Sequence, residues 1–158
     1  MKETYSLKAI GSVHIDDEKY LIRIKDEYKE GLRGLEGFSH LHIVWWGHLC
    51  DNDESRARLN MGKLFKNWSE EIGVFATHAP MRPNPVLSST VNVIKIDFDK
   101  GIIYTPHIDA EDGTPVLDIK PYHMMERVRD CRMPDWASHW PQWYEDAADY
   151  DWDKEINK

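Results

Sequence analysis

Gly73 to Ser89 reads GVFATHAPMRPNPVLSS, with prolines at 80, 83 and 85. Each proline fixes φ and drives the residue before it towards an extended backbone. The stretch is therefore not written as a helix, and it is too specific for a flexible linker. The apolar run Gly73 to Ala76 reads as the end of a buried strand. The loop after it presents Thr77, His78, Arg82, Asn84, Ser88 and Ser89 on a stiff scaffold. Stiff polar loops at strand ends are where binding sites concentrate. Such a loop can equally be a rigid connection whose Arg and Asn cap nearby backbone.

Strand patterns lie on both sides of this loop. Residues 90–98 (TVNVIKIDF) and 102–108 (IIYTPHI) are rich in β-branched residues and join at Asp99-Lys100-Gly101, a hairpin signal. Upstream, Phe38-Ser39-His40 leads into the apolar strand Leu41 to Trp46, whose adjacent tryptophans must face opposite ways. One is expected in the core, the other along a pocket or interface. Ser6 to Ile15 reads as a first strand, with a close backbone approach at Gly11. Asp16-Asp17-Glu18 makes a turn. Tyr20, Ile22 and Ile24 then alternate with Leu21, Arg23 and Lys25 as a second strand with basic outward positions. Glu30 to Gly37, with three glycines, reads as a tight connection. Downstream, Asp112-Gly113-Thr114-Pro115 is turn chemistry, followed by a short strand over Val116 to Ile119. Asp118 inside that strand needs a partner, and Lys120 is placed to supply one. Strands at short intervals with little helix predict a mainly β fold, a small barrel or sandwich with appended short helices.

Two segments read differently. Asp51 to Glu54 is an acidic turn, after which Ser55 could cap a short helix bearing Arg56, Arg58, Lys63 and Lys66 opposite Leu59, Leu64 and Phe65. This is the one basic patch of the chain, either a solvated face or a contact for a nucleic-acid backbone. Residues 130–158 hold Trp136, Trp140, Trp143, Tyr144 and Trp152 among eight acids and three bases. Pro141 suits the first turn of a helix, so a short helix is expected from about Pro141 to Tyr150. So many aromatics are expected to pack on the barrel or on a second subunit. The organisation read from this is a β-barrel domain over 1–129 and an aromatic, acidic, helical tail over 130–158.

The net charge of −8 over 158 residues argues against a generic nucleic-acid binder, yet eight of the 28 carboxylates lie in the tail. Cys50 and Cys131 stand far apart with no CxxC, which predicts reduced thiols. The N-terminal MKETYSLKAIG has no apolar signal-peptide core and no run reaches membrane-spanning length. A cytoplasmic protein is expected. His40, His42 and His48 invite a metal, but no carboxylate or thiol cluster completes a set, and no metal is expected. A ligand-orienting histidine at a strand end is the better reading.

The stretch GVFATHAPMRPNPVLSS, the later DAEDGTPVLDIKPY (Asp109 to Tyr122) and the earlier RGLEGFSHLHIV (Arg33 to Val44) together resemble the TsaA-like, or TrmO-like, family. Its signatures are close to GVFATRSPxRPNPIGLS, DxxDGTPxLDIKPY and RGLEGFSHLWV. The three occur in order, and the resemblance spans roughly residues 5–125.

The resemblance implies a small β-barrel that acts as a homodimer and binds S-adenosyl-L-methionine at its loops. Characterised members methylate N6 of threonylcarbamoyladenosine-37 in threonine tRNA. Carried over by motif, the cofactor contacts would be His48, Leu49, His78, Ser88, Asp109, Asp112, Gly113 and Thr114. Methyl transfer from a sulfonium depends mainly on positioning. The acceptor nitrogen must also lose a proton, for which Asp118, His78 and Tyr122 are the groups to inspect, with Asn84 and Arg82 orienting loop or substrate. Three departures stand out. The family's Arg is His78 here, a titratable group. Val86-Leu87-Ser88 replaces Ile-Gly-Leu, and a Pro-Arg-Gln near the first strand has no counterpart between Val13 and Tyr28. Two alternatives to the tRNA enzyme stay open: a methyltransferase of a small molecule or other RNA, and a non-catalytic S-adenosyl-L-methionine-binding module.

Overall fold

The computed structural model describes residues 3–17 and 19–157. Glu18 of the expected turn lies outside the described residues, as do Met1, Lys2 and Lys158. Among the described residues seven strands form one antiparallel sheet: β1 (Gly11–Asp16), β2 (Lys19–Ile24), β3 (His40–Trp46), β4 (Val86–Asn92), β5 (Lys95–Asp97), β6 (Ile102–Thr105) and β7 (Pro115–Pro121). The order across the sheet is β4-β3-β7-β1-β2-β6-β5. The longest ladder pairs β3 with β4 from His40 against Asn92 to Trp46 against Val86.

The alternation read from the sequence decides which face is covered. Val13, Ile22, Ile24, Leu41, Ile43, Val91, Ile103 and Val116 point to one side and are buried. Removing each from water contributes roughly 1.5–3 kcal/mol. Gly11 lies where a Cβ would stand 2.3 Å from the carbonyl oxygen of Arg23, so a side chain would separate β1 from β2. The close approach expected there is present.

The sheet is mainly β as expected, but it is not closed into a barrel. Its outermost strands, β4 and β5, do not pair; they are consecutive in the chain. Val93 donates its amide to Ser39 O at 2.8 Å, while the next residue, Ile94, donates to Tyr104 O at 2.8 Å. Two successive amides thus bond to opposite ends of the sheet. The sheet curls until its edges touch at this corner, and the chain rather than a ladder joins them.

Several local expectations are corrected. Val74–Ala76 is a 3-10 turn and not a strand end, with Val74 buried and Phe75 exposed. β1 begins at Gly11 and not at Ser6. The basic helix is only α1 (Asp53–Ala57), and its cap is Asn52, whose Oδ1 accepts from the Ser55 amide at 2.9 Å. The side chain three residues ahead captured that amide, which places Ser55 inside the first turn and buries it. Arg58 then leaves helical backbone, so Leu59, Leu64 and Phe65 never form a helical face. The tail holds 3-10 turns at Asp135–Ala137, Tyr144–Ala147 and Trp152–Lys154, so the helix expected from Pro141 to Tyr150 is reduced to the single turn Tyr144–Ala147.

Tertiary contacts outweigh helix propensity in that tail. Phe65 stacks on Trp136 (centroids 4.8 Å apart), and Trp140 lies edge-on to Phe65, Trp136 and Trp152. At the centre is Glu155, 5% exposed. Its carboxylate accepts from Tyr150 Oη at 2.8 Å and Trp140 Nε1 at 3.0 Å, and bonds His139 Nε2 at 2.9 Å. The Tyr150 hydroxyl first, then the Trp140 and His139 donors, hold this carboxyl down to about 2. Among the described residues no helix is long and apolar enough to cross a membrane. Cys50 and Cys131 are both free thiols.

Candidate functional site

Three loops meet at one end of the sheet. β3 ends at Trp46, and Gly47 donates its amide to Pro85 O at 2.8 Å, which ties the strand end to the Pro-rich loop. From the other side, Gly113 adopts φ +78 and donates to Val13 O at 2.9 Å, which turns the 109–114 loop back over the start of β7. Between them is a cleft of about 260 Å³. Trp45, Leu49, Pro80 and Leu87 supply apolar wall, and His48, Cys50, His78, Ser88, Asp109, Glu111 and Thr114 supply polar groups.

Six of the eight residues carried over as cofactor contacts line this cleft: His48, Leu49, His78, Ser88, Asp109 and Thr114. Thr114 Oγ1 stands 3.4 Å from His48 Nδ1, so one loop's hydroxyl meets the other's imidazole. The other two, Asp112 and Gly113, lie outside it. Asp112 Oδ1 accepts from the Ile15 amide at 2.9 Å, and Gly113 makes the turn. Both shape the loop without facing the cleft.

Of the residues singled out for chemistry, His78 lines the cleft and the other four are elsewhere. Asp118 is outward on β7, opposite Val44, and pairs with Lys120 as its sequence context suggested. The Tyr122 amide donates to His40 O at 3.0 Å, and its ring lies 5.3 Å from that of His42. Those partners sit at the start of β3, roughly 10 Å or more from Trp45 at 3.3 Å per residue. Arg82 turns inward and donates to Thr77 O at 3.2 Å and Ala79 O at 3.3 Å, bracing the loop. Asn84 is exposed, and its carbonyl accepts from Val86 at 2.7 Å.

The sequence reading, which expected one tryptophan along a pocket and noted Leu87 as an altered loop residue, passed over Cys50, Pro80 and Glu111 as lining residues. All three stand next to or between residues it named, so the motifs could have been read as continuous walls. Trp45 faces inward, where its indole N–H donates to Ser89 Oγ at 3.0 Å. Trp46 faces outward and donates to Asp51 Oδ2 at 2.9 Å. At the opposite end of β3, His42 bonds Glu126 at 2.6 Å and Thr90 at 3.2 Å. The Glu126 carboxyl is held below its usual range, first by the His123 amide and then by His42.

The walls and donors suit a molecule with a flat apolar part, hydroxyls and positive charge. Indole, leucine and proline surfaces can cover a ring, hydroxyl and imidazole groups can bond oxygens, and Asp109 and Glu111 can face a cation. No parallel βαβ unit is present among the described residues, so this is no doubly wound nucleotide fold. Fold and cleft together define a curled antiparallel sheet domain with a cleft of small-molecule size at its loops.

Residues 10–126 match the tRNA-methyltransferase O N-terminal domain family, and the chain belongs to that family. A Methanocaldococcus jannaschii protein named "Probable S-adenosyl-L-methionine-binding protein" is 38% identical over 116 residues, covering 73% of this chain and 90% of that one. An S-adenosyl-L-methionine-binding protein of Archaeoglobus fulgidus is 35% identical over 101 residues, covering 64% of this chain and 67% of that one. The crystal structure of TrmO from Pseudomonas aeruginosa superimposes with a TM-score of 0.62 at 27% identity over 82% of this chain. This chain spans 62% of that structure's length.

Proposed function

We propose that this protein is an S-adenosyl-L-methionine-dependent methyltransferase and that the cleft holds the cofactor. The observation that carries the reading is the convergence of three segments, far apart in sequence, on one cleft with a suitable donor set. Trp45, Leu49, Pro80 and Leu87 would cover the adenine, Ser88 and Thr114 would bond oxygens, and Asp109 and Glu111 would face the positive end. The bound cofactor supplies an electrophilic methyl group on a sulfonium.

The chain's own contribution is placement and proton handling. A rigid cleft that holds donor and acceptor in line removes most of the entropic cost of their encounter. The acceptor's proton would pass to His48, His78, Asp109 or Glu111, the titratable oxygens and nitrogens lining the cleft. Asp118, paired with Lys120, and Tyr122, beside His42, do not line the cleft.

The acceptor we favour is N6 of threonylcarbamoyladenosine-37 in tRNA. Family membership supports it, and so do exposed cations in an otherwise acidic chain. Lys63, Arg127, Arg129 and Arg132 are exposed with no carboxylate at ion-pair distance among the described residues. Free cations of this kind suit phosphates. The second reading, another acceptor or a non-catalytic binding module, is supported by the altered loop residues His78, Leu87 and Ser88, all of which line the cleft. A cytoplasmic homodimer belongs to the same proposal, and sedimentation velocity reads its oligomeric part.

The test is calorimetric titration with S-adenosyl-L-methionine, followed by radiolabelled methyl transfer to unmethylated threonine tRNA. We expect micromolar binding, weakened by His78→Ala, and label in the tRNA. Absence of binding sinks the cofactor reading. Binding without transfer to tRNA sinks the acceptor while leaving the cofactor in place.

A further inference from the structure

The cleft has two walls that the chain must hold together. One is Gly47 to Cys50, directly after β3. The other is the Pro-rich loop, about thirty residues later. The Gly47 to Pro85 bond is one tie. A second is made of side chains, and it centres on Asp51 and Arg56.

Asp51 Oδ1 accepts from Arg56 Nε at 2.6 Å, and its Oδ2 accepts from Trp46 Nε1 at 2.9 Å. The Arg56 guanidinium carbon lies 5.5 Å from the centre of the Trp46 ring. Its NH1 then reaches Pro83 O at 3.4 Å, inside the Pro-rich loop. One guanidinium therefore touches a ring and a carboxylate that flank the first wall on either side, and a carbonyl on the second. The Asp51 and Arg56 side chains are 29% and 38% exposed. Arg56 belongs to the basic 56–66 stretch, where a phosphate contact was one reading. Here its donors point inward to protein partners, whereas Arg58 is exposed, with NH1 3.5 Å from Met81 Sδ.

We propose that Arg56, oriented by Asp51, is a positioning residue that clamps the Pro-rich loop against the Gly47–Cys50 wall and so sets the width of the cleft. The residue type follows from the task. Arginine presents several donors in a planar fork and stacks on aromatic rings, whereas lysine is a point charge on a flexible stem and cannot make all three contacts at once. Only the affinity arm of the test rests on the cleft being the cofactor site.

Arg56→Ala, Arg56→Lys and Arg58→Ala are compared with the unaltered chain in two measurements. The first is amide exchange at Gly47, whose hydrogen bond to Pro85 spans the walls, with the Ile43 amide in the sheet as internal control. The second is affinity for S-adenosyl-L-methionine, with and without added methylguanidinium. For Arg56→Ala we expect about tenfold faster exchange at Gly47 with Ile43 unchanged, and about tenfold weaker binding that methylguanidinium partly restores. Arg56→Lys should fall between, and it carries the test if the alanine variant does not fold. Arg58→Ala should stay within about twofold in both. Unchanged exchange and affinity in Arg56→Ala would overturn the proposal. So would an effect confined to tRNA affinity with a shallower salt dependence, the mark of a phosphate contact. If the unaltered chain binds no S-adenosyl-L-methionine, the cofactor reading falls and the Gly47 exchange still decides the clamp.

Discussion

Asp112 Oδ1 accepts a hydrogen bond from the Ile15 amide at 2.9 Å, across 97 residues of sequence. A carboxylate from the cofactor-signature motif thereby secures the end of β1. Asp112→Ala should lower stability by about 1 kcal/mol, the usual net worth of such a bond. It should also weaken S-adenosyl-L-methionine by loosening the 109–114 loop. Asp112→Asn keeps an acceptor and should retain most of both. Thermal melts alongside titration check this; an Asn variant that melts normally but does not bind would make Asp112 a direct ligand instead.

Gly11 is predicted to be intolerant of any side chain. A Cβ there would meet the Arg23 carbonyl at 2.3 Å, and backbone cannot rotate away as a flexible side chain can. Gly11→Ala should cost about 1–3 kcal/mol, or roughly 2–4 °C in Tm for each kcal/mol in a chain of this size. A melt within 1 °C or so of the unaltered protein would contradict the tight β1–β2 approach.

The tail should come loose in acid before the sheet does. The Glu155 carboxyl is depressed from 4.5 to about 2 in the folded chain, chiefly by Tyr150. A depressed carboxyl contributes its stability in full above the unfolded value. The contribution fades as pH falls from 4.5 towards 2. Tyr150 is shifted the other way, upward from 10.0, first by burial and then by Glu155. Its contribution is therefore present below 10.0 and lost as pH rises past its folded value. Near-UV circular dichroism of the tryptophan cluster should be constant between those limits and change below 4.5. Glu155→Gln should remove that acid dependence. A signal flat to pH 3 in the unaltered chain would mean the buried carboxylate does not anchor the tail.

Asp118 and Tyr122 are predicted to be dispensable for cofactor binding. Asp118 is half-exposed and paired with Lys120. An exposed pair of this kind contributes roughly 0–1 kcal/mol. Asp118→Asn should leave S-adenosyl-L-methionine affinity within about twofold and the melt nearly unchanged. A tenfold loss would place Asp118 in the site after all.

Local patterning carried a good deal of this molecule. Period-two alternation at Tyr20, Ile22 and Ile24 marked β2, and the Leu41 to Trp46 run marked β3. The turn at Asp112 to Pro115 and the Asp118–Lys120 pair were also legible, because each is a contact between near neighbours. The motifs assembled most of the residues now found around the cleft. Patterning failed where a distant contact outweighed propensity. Residues 141–150 read as a helix, but only a 3-10 turn forms there, at Tyr144–Ala147: Tyr150 is drawn to the buried Glu155, Tyr144 lies edge-on to His40, and Trp143 stays exposed. Val74-Phe75-Ala76 read as a strand end, yet pairing stops with the Gly73–Asn60 bridge and the Val74 amide on Leu59 O; the chain then closes a 3-10 turn and only Val74 enters the core.

The strands, their inward faces and the loop chemistry follow from residue order, since periodicity and proline geometry act within a few residues. Three things needed the folded chain: the open, curled sheet that meets at Val93 and Ile94, the separation of Asp118 and Tyr122 from the cleft, and the inward turn of Arg56. Each depends on which strands lie side by side and on which charge finds which partner. Those are choices among many distant pairings of similar local cost, and only the simultaneous packing of the whole chain selects one.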